Sequence, residues 1–125
     1  MTGGVTRLLV VDAANVIGSV PDGWWRDRAG AVRRLRDALA SAGLPEDVVL
    51  VVEGAARGVE PVSGVRVERA PRSGDDAIVE LIEGLDEDRP VTVVTADRQL
   101  RERVGALGAA IEGPRTLRER IGYGN

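Results

Sequence analysis

Apolar residues fall along this chain in two kinds of run. Short, mainly apolar runs stand at 7–11 (RLLVV), 48–52 (VVLVV) and 91–95 (VTVVT), with a briefer alternation at 65–67 and a weaker stretch at 108–111. Their length and β-branched content predict strands, and runs without polar alternation predict strands buried on both faces. Between them the apolar positions open to helical spacing. Ala29, Val32, Leu35 and Leu39 predict a helix within 25–42, with Gly43 as its C-terminal stop. Ile78, Leu81, Ile82 and Leu85 predict a second helix, and Leu100, Val104 and Leu107 a third. Leu117 and Ile121, after Pro114, predict a last helical turn or two. The stretch at 13–23 (AANVIGSVPDG) carries Gly18, Pro21 and Gly23 and reads as a loop. After Glu53 there is room for at most a short helix.

Strands that alternate with helices imply parallel pairing, with helices on both faces of the sheet. The expected architecture is an α/β three-layer sandwich around a mainly parallel sheet of four to five strands. It forms one domain over residues 1–125, a length at which a real core is feasible.

Composition narrows the chemistry sharply. The chain has no Cys and no His, so thiolate and imidazole metal sites, disulfides and His-dependent triads are all excluded. Every one of the 17 basic residues is Arg, which removes Schiff-base chemistry and the phosphate-loop lysine. Hydrolysis would have to rest on carboxylates, Arg, hydroxyls or a carboxylate-held metal. The net charge of −3 means that a nucleic-acid partner would need a local basic patch. The opening Met-Thr-Gly-Gly lacks the pattern of a signal peptide, and no apolar run is long enough to span a bilayer. A soluble cytoplasmic protein without membrane attachment is expected.

The carboxylates are placed in a way that composition alone does not require. Asp12 follows the first strand, Glu53 the second, Asp75 and Asp76 the third, and Asp97 the fourth. Ligands of open α/β sheets bind outside the carboxyl ends of the strands, so this connectivity brings the acids to one rim. Crowded carboxylates hold protons or call for a cation, and Mg²⁺ or Mn²⁺ suits an all-oxygen site. Singly, each acid has a plainer explanation as a turn former or helix cap, and Glu53 reads as the weakest member of the set.

Three segments resemble the motifs of the NYN-domain family, a branch of the PIN-like nucleases. Residues 10–18 (VVDAANVIG) resemble the first motif, 73–78 (SGDDAI) the second, and 95–100 (TADRQL) the third, in the family's order. The resemblance implies a PIN-like fold and metal-dependent endonucleolytic cleavage of RNA. It implies Asp12, Asn15, Asp75, Asp76 and Asp97 as catalytic residues, with Asp12, Asp75 and Asp97 as the metal ligands. Asn15 would orient a ligand, a water or the first carboxylate, and Thr95 would help to fix Asp97. Some relatives carry a further acid where this chain has Arg101, and the helix after Asp76 lacks one at Val79.

Arg26, Arg72 and Arg98 lie near the acids in sequence and are candidate phosphate clamps, although any single Arg is as readily explained by pairing with a neighbouring acid. Trp24 and Trp25 are two of only three aromatic residues. They suggest a base-stacking surface, against the alternatives of a helix anchor or a homodimer contact. The competing functional classes are a non-catalytic RNA-binding or protein-interaction module on the same fold, and a nucleotide hydrolase.

Overall fold

The five short apolar runs pair into one parallel sheet. In the computed structural model, which describes residues 6–124, the strands are β1 (Leu8–Asp12), β2 (Asp47–Val52), β3 (Val65–Arg69), β4 (Val91–Val94) and β5 (Ala110–Glu112). Their spatial order is β3-β2-β1-β4-β5, and every pair is parallel. The opening Met-Thr-Gly-Gly lies outside the described residues.

Five helices cover the sheet: α1 (Ala13–Gly18), α2 (Arg28–Ser41), α3 (Gly74–Glu83), α4 (Arg98–Ala106) and α5 (Pro114–Ile121). Strand side chains alternate between two cores. Leu9, Val11, Leu50 and Val94 pack with Val16 and Ile17 of α1, Val32 and Leu35 of α2 and Leu117 of α5. Leu8, Val10, Val49 and Val93 pack with Ile78 of α3 and Leu100 of α4. This is the three-layer α/β sandwich that the alternation predicts, with all five strands parallel. Removing a fully buried Val or Leu side chain from water stabilises the fold by roughly 1.5–3 kcal/mol, so the aliphatic strands suffice without aromatic filling. Among the described residues no helix is long and apolar enough to cross a membrane.

Two expectations need correction. Residues 13–18 are not loop: Ala13–Gly18 form a helix, capped by Asp12, whose carboxylate accepts the Asn15 N–H at 3.4 Å. Ala13, Val16 and Ile17 recur at helical spacing and are buried, and that burial outweighs the turn-forming tendency of Asn15 and Gly18. The long helix begins at Arg28, later than residue 25. Trp24–Arg26 form a separate 3₁₀ turn, and Asp27 caps the helix by accepting the Gly30 N–H at 2.9 Å. A side chain at position 30 would collide with that carboxylate, which explains a glycine inside the first turn. At the other end Ala42 caps the helix, and Gly43 follows with φ of 64°, the left-handed conformation that a helix stop requires.

Strand order reverses between β1 and β4. The chain leaves β1 toward β2 and β3 on one side, then returns to place β4 on the other. A crevice opens at such a switch point, at the carboxyl ends of the two central strands. Asp12 ends β1, and Thr95 and Asp97 follow β4, so both flank it.

Candidate active site

Asp12 is the pivot of the rim. It is the last residue of β1 and only 6% exposed. Its Oδ1 accepts the Asn15 N–H, and its Oδ2 accepts the Thr95 hydroxyl at 3.0 Å. Burial raises its carboxyl from the ordinary 3.8 to about 6; the two hydrogen bonds oppose that shift, while the charges of Asp75 and Glu53 add to it.

Thr95 is fully buried and works in two directions. Its hydroxyl donates to Asp12 and accepts the Asp97 N–H at 3.1 Å. The carboxylate of Asp12 and the backbone of Asp97 are therefore joined through one hydroxyl. Asp97 then caps α4, its Oδ1 accepting the Leu100 N–H at 3.0 Å. Asn15 closes the same corner, because its side-chain oxygen accepts the Ala96 N–H at 2.8 Å. Asn15 thus holds α1 against the loop after β4, while its own N–H steadies the first carboxylate.

Asp75 enters from α3, whose N-cap Ser73 accepts the Asp76 N–H at 3.2 Å. Partial burial raises the Asp75 carboxyl, and the charges of Asp97, Glu53 and Asp76 raise it further, against the opposing Arg103. Asp12, Glu53, Asp75 and Asp97 therefore form a chain of mutual repulsion across the switch point. The N-termini of α1, α3 and α4 all open toward it, and their aligned N–H groups partly offset the negative charge.

Asp76 is turned elsewhere. It is exposed and forms an ion pair with Arg103 of α4 at 3.1 Å. Arg72 is exposed and lines a groove of about 310 Å³ beside Ser73, Asp76 and Arg103. Arg98 is the first residue of α4 and, with Arg101, borders an open groove of about 520 Å³. The guanidinium of Arg26 lies 5.9 Å from the centre of the Trp25 ring. None of Arg26, Arg72 and Arg98 pairs with an acid among the described residues.

Two contributors were undervalued or missed from sequence. Glu53, by sequence the weakest member of the acidic set, accepts the Gly74 N–H at the start of α3 and so ties the end of β2 to the helix that carries Asp75. Arg103 has no motif to mark it; its place one turn and a half into α4 brings it opposite Asp76 only once the two helices pack.

The donors are all carboxylate oxygens, the set that hard divalent cations prefer, and their shared repulsion is of the kind that a cation relieves. Among the described residues, no three acidic side chains stand close enough as placed to enclose an ion. The chemistry of the site fits a divalent cation; the cage itself is not closed.

No protein-family profile matches this chain, and no curated protein matches it in sequence. Solved structures do match in shape. The crystal structure of Rae1 (YacP) from Bacillus subtilis superposes with a TM-score of 0.69 at 22% identity, covering 90% of this chain and 72% of that one. A mutant of the same protein gives a TM-score of 0.65 at 22% identity, covering 92% and 75%. At that identity the likeness establishes the fold alone, an α/β sandwich around a five-stranded parallel sheet.

Proposed function

We propose that this chain is a metal-dependent phosphodiester hydrolase, an endoribonuclease that works at the carboxylate rim. The observation that carries the reading is that acids from separate strand ends lie near enough at the switch point of the sheet to act on one another's charge, with Asp12 held near 6 by burial and by its acidic neighbours. Asp12, Asp75 and Asp97 would hold Mg²⁺ or Mn²⁺ through carboxylate lone pairs that their hydrogen bonds leave open. Such a cation, when bound, supplies Lewis acidity toward a phosphoryl oxygen and lowers the pKa of water. Thr95 and Asn15 fix the directions of Asp12 and of the loop that carries Asp97. Glu53 fixes the start of α3 and hence Asp75. Arg98 and Arg72, unpaired with any described acid, are the side chains available to grip phosphate oxygens. Asp76, paired with Arg103, adds negative charge from the flank.

Cleavage of a single-stranded RNA pool in Mg²⁺ or Mn²⁺ tests this reading. The parent is expected to cleave, and Asp12→Asn and Asp97→Asn to lose activity by about a hundredfold or more. An intact pool, with both variants binding Mn²⁺ as well as the parent, removes it. The open cage and Arg101 support a second reading, an RNA-binding module without turnover. That reading predicts salt-sensitive RNA binding by the parent and no cleavage in either metal.

A further inference from the structure

The only two indoles of the chain lie together beside the acidic rim. Trp24 and Trp25 meet edge to face, with ring centres 5.9 Å apart. Trp24 is half-buried against the core, whereas Trp25 is 56% exposed. Each carries an arginine over its ring: Arg28 lies 5.4 Å from the centre of Trp24 and Arg26 lies 5.9 Å from that of Trp25. A pocket of about 100 Å³ opens against Trp24, with Ala13, Ala14 and Val32 among its apolar walls and Arg28 and Glu53 as its charged groups. Ala13 adjoins Asp12 in the chain, and Glu53 is one of the charges that act on it, so the pocket and the rim share a border.

We propose that this pocket receives one unpaired base of the RNA strand whose phosphate lies at the rim, and that Trp25 offers a stacking face to a neighbouring base. The identity of the strand rests on the ribonuclease reading. At about 100 Å³ the pocket is on the scale of one flat ring. Its charged groups suit the edge of a nucleobase, which presents both acceptors for Arg28 and donors for Glu53. A free phosphate would meet the Glu53 carboxylate, and an aliphatic chain would leave both charged groups unanswered. Small side chains at 13 and 14 keep the floor open, and stacking on indole tolerates any base.

The indoles make the test direct, since all tryptophan emission arises at the proposed site. The full chain is titrated in EDTA with a short single-stranded oligoribonucleotide, and with an abasic ribose-phosphate strand of equal length. Saturable quenching by the base-bearing strand, at about tenfold or greater advantage over the abasic one, is expected. Ala14→Leu, at an exposed helix position on the pocket wall, should weaken that binding about tenfold with the circular dichroism unchanged. Trp25→Ala should weaken it less and retain the quenching of Trp24. Equal quenching by both strands, no quenching at all, or parent-like binding by Ala14→Leu overturns the proposal. Quenching without cleavage in the metal assay removes the nuclease reading and leaves the pocket; cleavage without quenching does the reverse.

Discussion

Asp12→Asn should make the metal-free protein more stable at neutral pH, which is an unusual expectation for a change at a buried hydrogen-bonded residue. The cause is the desolvated charge. A carboxyl moved from 3.8 to about 6 by folding binds its proton more tightly in the native state. Its favourable contribution is complete below about pH 4 and is lost as pH rises through 6, at a cost of about 3 kcal/mol when ionised. An amide carries no charge, so it escapes this cost. Its NH₂ group must however face one of the two donors that now serve the carboxylate, the Thr95 hydroxyl or the Asn15 N–H, and that mismatch costs about 1–2 kcal/mol. The net gain at pH 8 is about 1–2 kcal/mol, or roughly 3–8 °C in Tm. Thermal or urea unfolding of both proteins in EDTA, from pH 4 to pH 8, measures it. The difference should grow in favour of the variant from pH 4 to pH 7 and then level off. A variant that is less stable than the parent at pH 8, or a difference that does not change with pH, would refute the reasoning about burial.

Thr95→Val removes the hydroxyl that lowers the Asp12 carboxyl and leaves the Asp97 N–H without its acceptor. It should raise the pH of the acid limb of any cleavage profile and cost about 1–3 kcal/mol in urea unfolding, whereas Thr95→Ser should restore most of both. Gly74→Ala would bring a Cβ within 2.9 Å of the Glu53 carboxylate. It should destabilise the fold by about 1 kcal/mol and weaken Mn²⁺ binding, read by calorimetry; unchanged metal affinity would show that Glu53 does not set the position of Asp75. Arg103→Ala breaks an exposed ion pair and should shift stability by less than about 0.5 kcal/mol. A loss of cleavage comparable to that of Asp97→Asn would place the Arg103–Asp76 pair inside the catalytic set.

The three central strands were legible because each carries its signature in four to six consecutive residues, and burial on both faces leaves that signature unmixed, whereas the edge strands β3 and β5 are partly exposed and left only a brief alternation and a weak stretch. The rim was legible for a related reason: in a parallel sheet the end of every strand points the same way, so Asp12 and Asp97 could be placed on one rim, although their proximity depends on β1 and β4 lying side by side. Three features could not be read in this way. Helix α1 is six residues long, and Asn15 and Gly18 look like turn formers until the burial of Val16 and Ile17 is known. The roles of Glu53 and Arg103 depend on which helix termini and helix faces come together, and local spacing says nothing about that. The competing explanation of the acids as helix caps proved compatible with the functional one. Asp12 and Asp97 both cap helices, and the N–H groups that they accept steady the same carboxylates that face the crevice.

Crystals soaked in Mn²⁺ and read for anomalous scattering test the central claim most directly. A peak bounded by oxygens of Asp12, Asp75 and Asp97, with those side chains drawn inward from their present positions, is the predicted result. Full soaking that leaves the crevice without signal, while the three carboxylates stay apart, would contradict it.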